Sequence, residues 1–337
     1  MELRKFNSVE DAIKSCPDNK TIIDNIIKAW TYINDDKYKK AICAISGGSD
    51  SDVMLDICWR CDKSNKIEYV WYDTGLEYQA TKDHLKTLEE KYEIKILREK
   101  AIKSIPYSCQ HCGQPFINKR TSDYMHRLQS NGFQWEDEDF DTLYKRYPHC
   151  KSALEWWCNS YQSDAFNIRR NKWLKEFIVE NPPKFNISDK CCEYAKKKVI
   201  KHLIKKNKYD LNIFGIRKAE GGVRAQGHKN CFDNKDNGCD DYKPLFWYTD
   251  KDKREYELHF KITHSDCYSE YGLKRTGCAG CPFGRDFEDE LKIIKEHEIR
   301  LFNAVNNIFG KSYEYTRKYR EFCKEKNSKE SKKPVDA

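Results

Sequence analysis

Two groups of residues in this 337-residue chain have types and spacings suited to chemistry. The first is Ser46-Gly47-Gly48-Ser49-Asp50-Ser51. An apolar run, Ala41-Ile42-Cys43-Ala44-Ile45, precedes it and reads as a buried strand; the residues from Asp52 to Cys58 place their apolar members at helical spacing. Strand, tight Gly-Ser turn and helix make a cradle for an anion. The glycines let backbone approach closely, the hydroxyls donate hydrogen bonds, and the helix N-terminus offers unpaired N–H groups and a positive dipole. Phosphate is the anion expected, although no Gly-Lys-Ser/Thr follows, so this is not a Walker loop. The second group is a set of thiols: Cys191-Cys192 at the start of a Lys-rich helix, and Cys278-Ala279-Gly280-Cys281 far downstream. Four thiolates suit zinc or an iron–sulfur cluster. Neighbouring cysteines diverge, which is awkward for one tetrahedral ion, whereas a cubane gives each thiolate its own iron.

The elements that must position these groups follow from periodicity. Two helices are expected around residues 9–15 and 21–33, then strand 41–45, helix 51–62, strand 67–72, helix 77–92 and strand 94–98. This alternation predicts an α/β fold with a parallel twisted sheet and flanking helices, joined by right-handed crossovers. A further strand is expected at 211–216, after a largely helical, aromatic-rich insertion at about 100–188 that reads as lying over one end of the sheet. The expected organisation is N-terminal helices over 1–38, a nucleotide-binding domain over 39–285 with the cysteine region at 190–285, C-terminal helices over 286–307 and 311–325, and a disordered tail over 326–337.

Composition narrows the class. Hydrophobic residues are 39% and charged residues 34%, as in a soluble globular protein. No apolar run reaches the roughly 18 residues that span a bilayer, so no membrane role is expected. The polar start predicts no signal peptide, and sixteen cysteines without one predict a reducing, cytoplasmic setting in which thiols serve metal or redox chemistry. The net charge of +8 fits an anionic substrate or nucleic acid without requiring either. Seven lysines between Lys196 and Lys208 form either a solvated helix face or an anion-facing surface.

Ser46–Ser51 resembles the SGGxDS loop of the PP-loop (N-type) ATP pyrophosphatases, the adenine nucleotide α-hydrolase group, and within it the phosphoadenosine phosphosulfate (PAPS) and adenylyl-sulfate reductases. Tyr72-Asp73-Thr74-Gly75 resembles the DTG turn after the second strand, and Gly215-Ile216-Arg217-Lys218-Ala219-Glu220, with Arg224 behind it, resembles the G-[IL]-R-x-x-E segment. Gly113-Gln114-Pro115-Phe116-Ile117-Asn118-Lys119 is similar to a segment of phage and bacterial reductase-like members. The resemblance implies that the loop and Thr74, Gly75 and Gly215 hold the nucleotide, that Asp73 receives a ribose or adenine group, and that Arg217 and Arg224 grip phosphates. A helix-capping role for Asp73 is the structural alternative. The Cys-Cys and C-x-x-C arrangement resembles the [4Fe–4S] site of assimilatory adenylyl-sulfate reductases, so Cys191, Cys192, Cys278 and Cys281 are the expected ligands. ATP, adenylyl sulfate or PAPS is the expected substrate, with Mg²⁺ near Asp50 if ATP is used.

One departure limits the parallel. The reductases carry their nucleophilic cysteine in a C-terminal ECGLH-like segment, and the nearest stretch here is Arg320-Glu321-Phe322-Cys323-Lys324-Glu325. Three readings stay open: ATP-dependent adenylation and sulfur transfer to an acceptor; reduction of adenylyl sulfate or PAPS through Cys323 or another thiol; or a non-catalytic nucleotide-binding redox sensor. The implied partners are a sulfur-donor protein or thioredoxin-like reductant, with nucleic acid one choice of acceptor. Cys109-Gln110-His111-Cys112 is a second C-x-x-C open to a sulfur or redox relay, and Cys58-Trp59-Arg60-Cys61 a third that reads as core packing.

Overall fold

The computed structural model describes residues 3–221, 227–236 and 238–331. In chain order the elements are α1 (Val9–Lys14), α2 (Lys20–Ile33), β1 (Ala41–Ile45), α3 (Ser49–Cys61), β2 (Ile67–Asp73), α4 (Gln79–Tyr92) and β3 (Ile96–Lys100). Next come α5 (Ile105–Cys112), α6 (Lys119–Ser130), α7 (Phe140–Arg146), α8 (Lys151–Trp157), α9 (Leu174–Glu180), and α10 (Lys190–Cys192), which runs through a π turn at Glu193–Lys197 into α11 (Lys198–Asn207). The chain closes with β4 (Leu211–Ile213), β5 (Phe232–Asp233), β6 (Asp240–Tyr242), α12 (Asp250–Phe260), α13 (Asp266–Ser269), α14 (Phe287–His297) and α15 (Ile299–Glu330).

The chain divides into two compact units. The first comprises residues 1–102 and 195–278, the second 103–194 and 279–337. In the first, the described strands form a six-stranded sheet ordered β3-β2-β1-β4-β6-β5, parallel except for the β5–β6 pair. Strand order runs outward from β1 through β2 to β3 and reverses to β4 on its other side. The reversal opens a crevice at the carboxyl ends of β1 and β4, where open α/β sheets take ligands. The loop after β1 and the Gly215–Glu220 segment after β4 both begin there.

Helix α3 carries the loop, and a buried polar network fixes it. Arg60 Nε donates to Asp56 Oδ2 at 2.8 Å, and the Tyr92 and Tyr256 hydroxyls donate to the same carboxylate at 2.9 and 2.7 Å. Asp56 is wholly buried and Arg60 nearly so, so the three donors replace the water that each charge has lost. Around this network Val53, Leu55, Ile57, Cys58 and Cys61 join the core of β1, β2 and α2, and the third C-x-x-C is therefore core packing, as read from sequence.

The second unit has its own core, built from the aromatic-rich insertion: Phe133, Trp135, Trp156, Trp157 and Phe177 pack with Phe116 and Tyr315. Four sequence expectations need correction. The boundary of the insertion joins it to the C-terminal helices, so the single 39–285 domain is divided. The two helices expected at 286–307 and 311–325 are α14 and α15, parted at Glu298. Gly310 does not break α15, because Val305, Phe309, Ser312, Tyr313 and Thr316 continue one buried face across it. The tail expected to be disordered from 326 is helical as far as Glu330. Strand β4 also stops at Ile213, short of the expected 216.

Candidate functional site

Gly48 caps α3, and Gly47 before it adopts φ +68°, with a Cβ there falling 2.8 Å from Thr81 Cγ2. Only glycine meets both demands without strain. The turn is closed from within: Ser46 N–H donates to Ser51 Oγ at 2.9 Å. The Ser49 N–H donates to the Tyr268 hydroxyl at 3.0 Å, and that hydroxyl lies 3.2 Å from Thr276 Oγ1.

Asp50 stands between two cations. Arg217 Nε donates to Oδ2 at 2.9 Å, and Lys253 Nζ lies 3.0 Å from Oδ1. Burial alone would raise the Asp50 carboxyl. A hydrogen bond with Glu220, the Arg217 guanidinium and the Lys253 ammonium outweigh it and hold the group at about 2. Arg217 also donates to Asp250 at 2.7 Å, and Lys253 donates to Ser49 Oγ at 2.7 Å. Two cations thus converge on the N-terminus of α3. Arg217 is where the resemblance implies an anion-binding arginine; Arg224 lies outside the described residues.

Beneath the loop runs a charged chain that sequence reasoning missed. Lys253 lies 3.2 Å from Glu257, whose Oε1 is 3.0 Å from His264 Nε2; His264 Nδ1 is 2.8 Å from Asp52 Oδ2. His84 Nε2 is 3.0 Å from the other Asp52 oxygen, and Asp52 is wholly buried. With a carboxylate at each ring nitrogen, His264 carries both protons. Burial opposes that charge, yet Asp52 and Glu257 raise the imidazolium to about 9. The available signal was Asp52 itself, an acid among the apolar positions of a helix that must be buried.

At the end of β2, Asp73 accepts from Gly75 N–H at 2.9 Å and from Arg98 Nε at 2.8 Å. It therefore shapes the turn and pairs with Arg98 rather than capping α4. Thr74 Oγ1 donates to Glu77 Oε1 at 2.6 Å and lies 3.6 Å from Cys278 Sγ. Burial pushes the Glu77 carboxyl up. Gly215 adjoins Met54, with a Cβ there 3.8 Å from its sulfur.

Within the second unit the thiols gather around Cys191. α10 packs on α5, and the buried Cys191 thiol shares hydrogen bonds with Cys109 and Cys192. The bond with Cys109, burial and the nearby Cys109 and Cys281 raise its thiol, against the opposing bond with Cys192. A backbone frame sets this meeting. Gln114 N–H donates to Asn186 O at 2.8 Å, Ser188 N–H donates to Gln114 O at 2.9 Å, and Gly113 leaves no room for a Cβ, which would fall 2.4 Å from Asn186 O. Gly280 N–H donates to Glu290 at 3.0 Å and its carbonyl accepts from Tyr313, which anchors Cys281. The structure thus brings Cys191, Cys192 and Cys281 together with Cys109, which the resemblance did not include. Cys278 belongs to the first unit. Among the described residues no three His, Cys, Asp or Glu side chains converge tightly enough for a single metal ion. The thiolate chemistry of the Cys191 group still suits a cluster, whose irons each take a separate thiolate.

Cys323 sits on α15 near Tyr319, and burial raises its thiol. That is the opposite of an activated nucleophile.

Residues 40–155 match the family model of the phosphoadenosine phosphosulfate reductase domain. That stretch of the chain is similar to the PAPS reductase domain. The loop at residues 46–51 and the turn at residues 72–75 both lie within the matched stretch. An uncharacterized protein of Methanocaldococcus jannaschii, MJ0066, is 25% identical over 311 residues, covering 89% of this chain and 48% of the relative. The chain thus spans about half the length of that curated relative. Among solved structures, PAPS reductase from Candida auris in a phosphate complex is 11% identical, with TM-score 0.40, over 80% of this chain and 93% of that one. The U34-tRNA thiolase NcsA from Methanococcus maripaludis with its [4Fe-4S] cluster is 12% identical, with TM-score 0.37, over 89% and 78%. The NH3-dependent NAD synthetase from Campylobacter jejuni in complex with nitrate is 11% identical, with TM-score 0.36, over 88% and 95%. No helix among the described residues is long and apolar enough to cross a membrane.

Proposed function

We propose that the PAPS reductase-like domain binds an adenine nucleotide at residues 46–51 and that the protein is a sulfur-transfer enzyme, adenylating an acceptor with ATP. The observation that carries this reading is the convergence of Arg217 and Lys253 on Asp50 at the N-terminus of α3. Ser46, Gly47, Gly48, Ser49 and Ser51 supply hydroxyl and N–H donors, Thr74 and Gly75 line the turn after β2, and Gly215 leads to Arg217. An acceptor oxygen attacks the α-phosphorus, its bond to pyrophosphate breaks, and Arg217, with Arg224, neutralises the charge that leaves. Mg²⁺ would accompany ATP, with Asp50 the nearest loop carboxylate. A sulfur nucleophile from a donor protein then displaces AMP from the acceptor.

Cys191, Cys192 and Cys281, within the second unit, are proposed thiolates of a [4Fe–4S] cluster. When bound, such a cluster supplies iron-held sulfur or electrons. Reduction of adenylyl sulfate or PAPS is the second reading, and the raised Cys323 thiol weighs against Cys323 as its nucleophile. A thioredoxin-like reductant belongs to that second reading. Lys197, Lys201, Lys205, Lys206 and Lys208 are exposed on and just beyond α11, a face open to a nucleic acid acceptor.

Anaerobic purification with iron and sulfide analysis tests the cluster: about four irons per chain are expected, with loss in Cys192→Ser. Iron-free wild-type protein refutes the cluster. Pyrophosphate release from ATP supports adenylation, whereas sulfite release from adenylyl sulfate or PAPS replaces it with reduction. Ser46→Ala should abolish turnover while the cluster's absorbance persists.

A further inference from the structure

Lys253 enters from α12, whose charged sequence Asp250-Lys251-Asp252-Lys253-Arg254-Glu255 resembles a solvated helix face. The fold puts it elsewhere. A capping box between Thr249 and Asp252 fixes the start of α12, with Thr249 N–H donating to Asp252 Oδ2 at 2.9 Å and Asp252 N–H donating to Thr249 Oγ1 at 3.2 Å. One residue later the Lys253 side chain is only 13% exposed. Its ammonium has three neighbours, Ser49 Oγ at 2.7 Å, Asp50 Oδ1 at 3.0 Å and Glu257 Oε1 at 3.2 Å. Three protons meet three acceptors.

An ammonium has protons and no lone pair, so the Ser49 hydroxyl must be the acceptor in this contact. Its own proton is then directed away from Lys253. Charge-assisted donation to an oxygen also polarises its O–H and strengthens it as a donor.

We propose that Lys253 is a positioning residue for the phosphate-binding loop, committing the Ser49 hydroxyl proton to an anionic oxygen of the bound nucleotide. This rests on the nucleotide reading of the loop and names a part of it that neither the loop sequence nor the arginine segment contains. Lys253 acts through Ser49, not by joining the reaction. Because its partners are Ser49 and Asp50, it bears on the phosphate end of the ligand and not on adenosine.

The test is calorimetric titration of the full chain with ATP and, separately, with adenosine. Wild type, Lys253→Met, Ser49→Ala and the double variant are compared after a melting curve for each. Lys253→Met is expected to weaken ATP about tenfold and to leave adenosine within about twofold. In the Ser49→Ala background the same change should cost less than about twofold, since the hydroxyl it acts on is gone. Equal losses for ATP and adenosine overturn the proposal in favour of a purely structural lysine. Losses that multiply in the double variant overturn it too, because Lys253 then acts independently of Ser49. If Lys253→Met does not fold, Ser49→Ala alone decides: unchanged ATP affinity refutes the donor role of the hydroxyl. Wild-type protein that binds no ATP, adenylyl sulfate or PAPS refutes the nucleotide reading itself, a failure visible before any variant is made.

Discussion

The doubly paired His264 makes stability depend on pH in a direction that can be worked out. In the unfolded chain the imidazole titrates near 6.5; in the fold it rises to about 9 because its two N–H groups serve Asp52 and Glu257. A group raised on folding contributes its full stabilisation below its unfolded value and loses it as pH climbs through its folded value. The loss therefore falls between about pH 6.5 and pH 9. A rise of that size corresponds to at most about 3 kcal/mol, and nearer 2 once solvent screening is allowed for. Other titratable groups near the ring are Lys253 beyond Glu257 and His84 beyond Asp52, so comparison with a variant is needed. Urea unfolding of wild type and His264→Gln at pH 6 and pH 9.5 provides it. Wild type should lose about 2 kcal/mol more than the variant across that interval. Parallel pH dependences would show that His264 is not charged in the fold.

Two further perturbations test the frame. Asp56→Asn removes the carboxylate that buried Arg60, Tyr92 and Tyr256 share; it should cost about 3–5 kcal/mol in urea unfolding, and a loss below about 1 kcal/mol would refute the network's role in holding α3. Gly113→Ala forces a Cβ to within 2.4 Å of the Asn186 carbonyl. It leaves every thiol in place, yet iron per chain after anaerobic purification should fall at least about twofold if that backbone contact sets the Cys109–Cys191 approach; unchanged iron would refute the link.

What the sequence disclosed and what it hid follow one physical division. The loop was legible because its parts are contiguous: an apolar strand, two glycines and a helix start lie within twenty residues, and each imposes a local backbone preference. The sheet was legible for the same reason through β1, β2 and β3; β4 ends early at Ile213 while Phe214 N–H still bonds to Tyr242 O at 3.2 Å, and β5 and β6, two and three residues long and paired antiparallel, were missed. Gly310 does not end α15 because its local cost, about 1 kcal/mol in a helix interior, is smaller than what the continuous buried face of that helix recovers. Lys253, Glu257 and His264 were hidden because their value depends on Ser49, Asp50 and Asp52, some two hundred residues earlier. Charges on a helix belong to water by default, and only tertiary placement reverses that default. Asp52 was the one local clue to the reversal, since α3 buries almost every other residue around it and an acid held there requires cations from elsewhere in the chain. A buried acid one turn into a phosphate-binding helix is therefore better read as a demand for a distant cation than as an exposed helix position, and here His264 meets it directly while Lys253, through Glu257, extends the chain to the loop.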